Sequence, residues 1–225
     1  MILRRTAIAV AMVAAVCHPA SAQTTEGLLF RPFFVASAQQ FTAHETFDAA
    51  FGETVQTLWG GGLSITYDDV WYVDLTASRF QKTGQQAFFN AGTAYQLGIP
   101  MSVTMTPFEV TVGHRFHLVS KKLPPLNRRP IEPSPFIPYI GGGVGVYRYQ
   151  QTSDFATAAE NVDTRHAGAV LEGGVEIRLH RWFGVAFDGH YTYVPGILGE
   201  GGVSKQAGES DLGGFAGRVK VIVGR

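Results

Sequence analysis

The chain has 225 residues, with 18 basic and 18 acidic side chains, 27 glycines and one cysteine. A net charge of zero offers no footprint for nucleic acid, and a lone cysteine excludes a disulfide framework. Charge is sparse and glycine abundant for a secreted soluble domain.

Residues Met1 to Ala22 read as a cleavable export signal. Arg4 and Arg5 precede an apolar stretch from Thr6 to Val16, and His18-Pro19-Ala20-Ser21-Ala22 places small residues at the last and third-last positions. The expected division is therefore a signal peptide at 1–22 and one domain at 23–225, starting at Gln23. A membrane anchor needs about 20 apolar residues, and this stretch is shorter. Val16 stands before Cys17 where a lipoprotein requires a small residue. The arginine pair lacks the rest of a twin-arginine motif, so the general secretory pathway is expected. Loss of Arg4, Arg5 and Cys17 leaves a cysteine-free chain with a net charge of about −2.

Eight segments of alternating bulky and small or polar residues follow: Leu28 to Gln40, Thr54 to Tyr67, Val70 to Gln81, Ile99 to Phe116, Pro135 to Thr152, Thr164 to Leu179, Trp182 to Val194 and Asp211 to Val223. Asp68-Asp69 and His180-Arg181 leave room only for tight turns. Phe41 to Glu53, Lys82 to Gly98, Ser153 to Asp163 and Pro195 to Ser210 are long and polar or glycine-rich. Short connections on one side and long ones on the other fit periplasmic turns and extracellular loops. Within the second long connection, Gln85 to Asn90 is a candidate hairpin extension above the membrane, opposed by Gly84, Gly92 and Gly98. Lys121 to Pro130, basic and proline-rich, lies where a short turn belongs. It reads first as a solvated excursion, and second as a contact for a periplasmic partner or anionic headgroups.

One face of each segment is apolar. Phe183, Val185, Phe187, Tyr191 and Tyr193 oppose Gly184, Ala186, Asp188, His190 and Thr192 in the seventh; Trp71, Val73, Leu75 and Ala77 oppose Tyr72, Asp74, Thr76 and Ser78 in the third. Apolar outside and polar inside, with every backbone group paired to a neighbouring strand, is the pattern of a transmembrane β-barrel. The expected fold class is all-β: an eight-stranded antiparallel up-and-down transmembrane β-barrel. Tyr67, Trp71, Phe116, Phe136, Trp182 and Phe183 gather at strand ends on the short-turn side, as one half of an aromatic girdle. A soluble lipocalin-like barrel would instead turn the apolar face inward, leaving an outer face rich in glycine and too poor in Lys and Glu to be solvated.

The inner face collects Asp74, Glu109, Arg115, Glu172, Glu176, Arg178, Asp188, His190, Arg218 and Lys220. Eight strands leave an interior that side chains fill, and unpaired buried ions cost several kcal/mol each. An ion-paired plug is therefore favoured over a conducting path. The inward Gly60, Gly62, Gly141, Gly143 and Gly145 leave room for larger facing residues such as Tyr147 and Tyr149, or for a small cavity. Strand curvature is a further reason for them.

For catalysis, His44 with Glu45 and Asp48, and Ser204 with Glu209, Ser210 and Asp211, have no diagnostic spacing. The seven histidines form no metal-site spacing, and Gly141-Gly142-Gly143 lies inside a strand rather than opening a helix. No enzyme, metal or cofactor is expected.

Pro138-Tyr139-Ile140-Gly141-Gly142-Gly143-Val144-Gly145-Val146-Tyr147, followed by Gly173-Gly174-Val175-Glu176 and Trp182, resembles the small bacterial outer-membrane β-barrel superfamily of OmpA-like, OmpX-like and OmpW-like proteins. The resemblance spans nearly the whole mature chain. It implies an eight-stranded barrel in a Gram-negative-type outer membrane, inserted by the barrel-assembly machinery with periplasmic chaperones. Such barrels serve as anchors, adhesins, narrow channels or, less often, lipid-modifying enzymes, so the fold does not fix the function. They commonly end in an aromatic residue, whereas this chain ends Val221-Ile222-Val223-Gly224-Arg225. The functional expectation is a monomeric structural or surface-interaction barrel with a plugged lumen, lying among outer-membrane lipids. The alternative is a narrow channel for small solutes.

Overall fold

A computed structural model of the chain describes residues 27–90, 93–117, 135–153, 161–199 and 202–224. Eight strands, β1 (Leu28–Phe41), β2 (Val55–Tyr67), β3 (Trp71–Asn90), β4 (Thr93–Arg115), β5 (Phe136–Thr152), β6 (Val162–His180), β7 (Phe183–Tyr193) and β8 (Gly214–Val223), pair in sequence order. β8 then returns to β1, so that the barrel closes. Every neighbouring pair is antiparallel. Closure leaves no unpaired sheet edge, which is what permits a β-structure to sit in lipid. Two helices lie in the long connections: α1 (His44–Phe51) and α2 (Gly202–Ala207). The expected signal peptide at 1–22 and the basic segment 121–130 lie outside the described residues.

Residue parity sets each side chain's face. Along β5, Ile137, Tyr139, Tyr147 and Tyr149 are buried, while Phe136, Ile140, Val144 and Val146 are exposed, Val144 at 65%. From Phe136 to Val146 no outward side chain is charged. At about 3.3 Å per residue and about 40° of tilt this stretch rises about 25 Å, the height of the apolar band of a membrane barrel. Arg148, the next outward position, lies above it in an exposed bidentate pair with Asp163, at 2.9 and 2.6 Å. Exposed Phe30, Phe34, Phe108, Leu171, Phe187 and Val219 continue the band around the barrel.

Tyr67, Trp71, Phe116, Phe136, Trp182 and Phe183 are all exposed at the short-turn end. Trp71 meets His114, and His114 meets Phe116, edge to face at 4.9 and 4.8 Å between centroids. A second set of exposed aromatics, Trp59, Tyr191, Tyr193 and Phe215, lies toward the other end. Both rims of the apolar band therefore carry amphipathic rings.

The tight turns have local causes. Asp68 and Asp69 have φ of 50° and 57°, two consecutive left-handed residues as in a type I′ turn, closed by Val70 N–H donating to the Tyr67 carbonyl at 3.0 Å, within a three-residue connection that pairs Tyr67 with Trp71. The β6–β7 turn falls on Arg181 and Trp182 rather than on His180 and Arg181. A register shift between Arg178 and His180 carries β6 one residue further, so Trp182 is a turn residue. The extension expected at Gln85 to Asn90 is realised, with β3 and β4 paired to Asn90 and Thr93 across one irregularity at Gln85–Ala87. Gly84 is required there: a Cβ would lie 2.3 Å from the Ala50 carbonyl oxygen of α1.

The helices in the connections 41–53 and 195–210 depart from the expectation of plain loops. α1 turns Phe47, Ala49 and Ala50 inward and ends at Gly52, whose φ of 68° closes the helix in the left-handed conformation.

Candidate functional site: the barrel interior

The ten expected lumen residues all project from the inner side of the strands, Arg178 half-exposed at the short-turn rim and the others buried. They form three layers. Nearest the turns, Glu176 accepts a bidentate pair from Arg31 (Nη1 to Oε1 2.7 Å, Nη2 to Oε2 3.1 Å) and a bond from Arg115 Nη2 at 2.6 Å. Arg115 also donates through Nη1 to Asp69 Oδ1 at 2.6 Å, and Arg178 pairs with the same carboxylate. Asp69 is thus both a turn residue and a floor anchor. Its burial works to raise its pKa, but Arg115, Arg178 and His117 outweigh this and hold the carboxyl below its ordinary value.

The middle layer centres on Glu172. Its Oε2 pairs with Arg218 and with Lys220 Nζ at 3.2 Å, while Oε1 accepts from the Tyr72 hydroxyl at 2.9 Å and Thr111 Oγ1 at 3.1 Å. Arg218 Nε also donates to Asp188 Oδ1 at 2.5 Å, and Lys220 donates to Asp74 Oδ2 at 3.0 Å. Tyr139 donates to Asp188 at 2.7 Å. Lys220 lies over the rings of Phe33 and Tyr139, 5.3 and 5.6 Å from their centroids, a cation–π arrangement away from water. Above it, Glu109 accepts from the Tyr147 hydroxyl at 2.7 Å and lies 3.3 Å from His190 Nε2.

The inward glycines make room for aromatic rings. A Cβ at Gly113 would lie 2.3 Å from the Tyr72 ring, and one at Gly141 2.4 Å from its hydroxyl. Gly62 faces Phe33 in the same way, at 2.6 Å, and Gly168 faces Tyr147 at 2.8 Å. The facing Tyr72 accounts for Gly113 and Gly141, while at Gly62 and Gly168 a neighbouring-strand carbonyl oxygen, of Leu75 and Tyr193, is closer still, at 2.0 and 2.7 Å.

Above Glu109 the interior is largely apolar, contrary to the uniformly polar lumen that alternation suggests. Leu58, Phe80, Met101, Val103, Met105, Val170 and Val194 form an apolar layer, covered by Phe47 and Ala50 of α1 and by Ile197, Leu198 and Leu212. Phe41 and Phe47 stack at 4.1 Å. Parity makes a residue inward but does not decide its polarity. Near the open end, inward apolar groups are satisfied by a cap from the loops.

Glu209 fixes that cap. It accepts from the backbone N–H groups of Glu45 and Thr46 at 3.0 and 2.9 Å and from Thr46 Oγ1 at 2.6 Å, replacing the side-chain cap that Ala43 lacks. Three other polar loop residues are engaged as well. His44 Nδ1 lies 3.0 Å from the Thr42 carbonyl, Ser204 Oγ accepts from Gly199 N–H at 3.1 Å, and Asp211 Oδ1 accepts from Val194 and Gly213 N–H at 2.7 and 2.8 Å.

Arg31, Asp69 and the hydroxyls of Tyr72, Tyr139 and Tyr147 are network members outside the expected set. For Arg31 a signal exists: it is in phase with Phe33, Val35 and Gln39, buried opposite the exposed Phe30 and Phe34.

A closed antiparallel barrel with an apolar, aromatic-rimmed outside and an ionised inside defines the class: a small eight-stranded outer-membrane-type β-barrel. No protein-family model matches the chain, and the comparison with curated proteins gives no significant match. Among solved structures it is similar to the N-terminal β-barrel domain of OprF from Pseudomonas aeruginosa (11% identity, 87% of this chain and 97% of that chain, TM-score 0.44). It is likewise similar to Ail, the attachment invasion locus protein of Yersinia pestis (15%, 89% and 98%, 0.44), and to the outer membrane protein OprG from Pseudomonas aeruginosa (12%, 88% and 93%, 0.44). The class rests on the strand order, alternation and burial of this chain itself.

Proposed function

We propose that this protein is a monomeric, non-enzymatic outer-membrane barrel with a closed lumen, serving a structural or surface-interaction role through its long-loop end. The observation that carries this reading is the filling of the interior. Among Arg31, Phe33, Tyr72, Asp74, Arg115 and Lys220 the free space comes to only about 20 Å³, room for a water molecule and not for a solute. The apolar layer above adds a second obstruction. Engaged by backbone N–H groups, Glu209 and Asp211 act as struts rather than as catalytic bases. In this reading residues 1–22 direct export through the general secretory pathway and are removed by cleavage after Ala22. Outer-membrane lipids surround the barrel, and the barrel-assembly machinery and periplasmic chaperones serve its insertion.

Single-channel recording of the refolded protein in planar bilayers tests this. A folded barrel that stays silent is the expected result. Reproducible openings, altered by Glu172→Gln, would replace the reading with a narrow solute channel.

A further inference from the structure

At the long-loop end the apolar layer does not fill the barrel. A cavity of about 530 Å³ opens above Val103 and Tyr149, walled by Phe47 and Phe51 of α1, by Met101 and by Ile197 and Leu198. That volume lies within the range of pockets that enclose small-molecule ligands, about 300–1,000 Å³, and its lining is apolar for the larger part, with Gln85, Gln86, Gln151, Thr46 and Ser204 among the polar remainder. One of the lining residues, Thr164 of β6, has a buried hydroxyl, Oγ1, with no hydrogen-bond partner among the described residues, at the level where Tyr149 pairs with Thr164. A buried hydroxyl without a partner is costly.

We propose that this cup is a binding site for a small, largely apolar molecule carrying one hydrogen-bonding group, an alcohol or amide, whose polar atom meets Thr164. The cup is blind. Met105, Tyr147 and the Glu109 layer lie beneath it, so an occupant enters and leaves at the loop end and does not cross the membrane. The wall from α1 is held by Glu209 and by Gln96 Nε2, which donates to the Ala49 carbonyl at 3.1 Å, so these contacts set the geometry of the site. This site goes beyond the structural role proposed above and would exist in a silent barrel.

The test is titration of methyl-labelled protein in lipid nanodiscs with 1-octanol, read by NMR. Saturable shifts are expected at the Met101, Val103 and Leu198 methyls, with none at the outward Val144 and Leu171, which report octanol dissolved in the bilayer. Thr164→Val should weaken octanol binding about two- to tenfold, the worth of one hydrogen bond, and leave octane unaffected. Ala50→Phe, which fills the cup from α1, should abolish the inward shifts while the unboiled protein keeps its folded migration on gels. Equal shifts inside and outside, or no shifts, would overturn the site. Saturable binding indifferent to Thr164→Val would overturn the ligand class.

Discussion

Glu172→Gln removes one of the two carboxylates, with Asp188, that Arg218 and Lys220 share. The amide keeps an oxygen for Tyr72 and Thr111, so the loss falls on the two ion pairs. Breaking a buried pair by neutralising one partner costs about 3–5 kcal/mol when the other ion is left uncompensated. Here neither cation is orphaned, because Arg218 keeps Asp188 at 2.5 Å and Lys220 keeps Asp74 at 3.0 Å. The expected destabilisation is therefore at the lower end, about 3 kcal/mol, or more than a hundredfold in the folding equilibrium. Reversible urea unfolding in lipid vesicles, followed by the fluorescence of Trp59, Trp71 and Trp182, measures it. Lys220→Met should also destabilise, and the double variant should cost clearly less than the two singles together, since they share one interaction. A Glu172→Gln cost below about 1 kcal/mol, the range of an exposed pair, would refute the view that this network holds the barrel's shape.

Other outcomes follow from the same geometry. Gly113→Ala should destabilise by about 1–3 kcal/mol through overpacking against Tyr72, and Tyr72→Leu in the same chain should recover part of it; equal unfolding midpoints for Gly113→Ala and wild type would contradict this. Asp69 has a carboxyl pKa depressed in the folded state, so its stabilisation is complete above the ordinary value of 3.8 and is lost as pH falls through the lower folded value. Asp69→Asn should accordingly flatten the acid limb of a stability–pH curve, and an unchanged limb would count against the Asp69 anchor. The 20 Å³ space beside Arg31 and Asp74 should hold one ordered water bonding Arg31 Nε and Asp74 Oδ1, both without protein partners among the described residues; a high-resolution crystal structure showing these atoms dry would contradict it.

Alternation makes the barrel legible because it is a property of single strands. Parity alone puts Asp74, Glu172, Glu176, Arg218 and Lys220 on one side, and closure of eight strands then requires them to meet. What the sequence withholds depends on long-range partners. α1 carries local signals, Phe47 and Ala50 in helical spacing and Gly52 as a stop, but its N-terminal cap is Glu209, more than 160 residues away. The spacing of Gly113 and Gly141 likewise has no local meaning. Only their registry across β4 and β5, with Tyr72 arriving from β3, shows why a side chain is excluded. Asp69 reads as a turn residue in the sequence, and its second role appears only when Arg115 and Arg178 converge on it. The apolar cap escapes notice for a similar reason, since inward Met101 and Val103 look like any barrel residue until the loops fold over them.

The most direct test of the orientation on which all of this depends is a nitroxide scan along β5 in lipid bilayers, using single cysteines introduced into a chain that has none after Cys17. At outward positions 138, 140, 142, 144 and 146 an apolar face in lipid predicts strong collision with oxygen and weak collision with a water-soluble nickel complex, with the order reversing at 148 and 150. Strong nickel collision at all of these positions would mean that the apolar face does not meet lipid, and would contradict a membrane-spanning barrel.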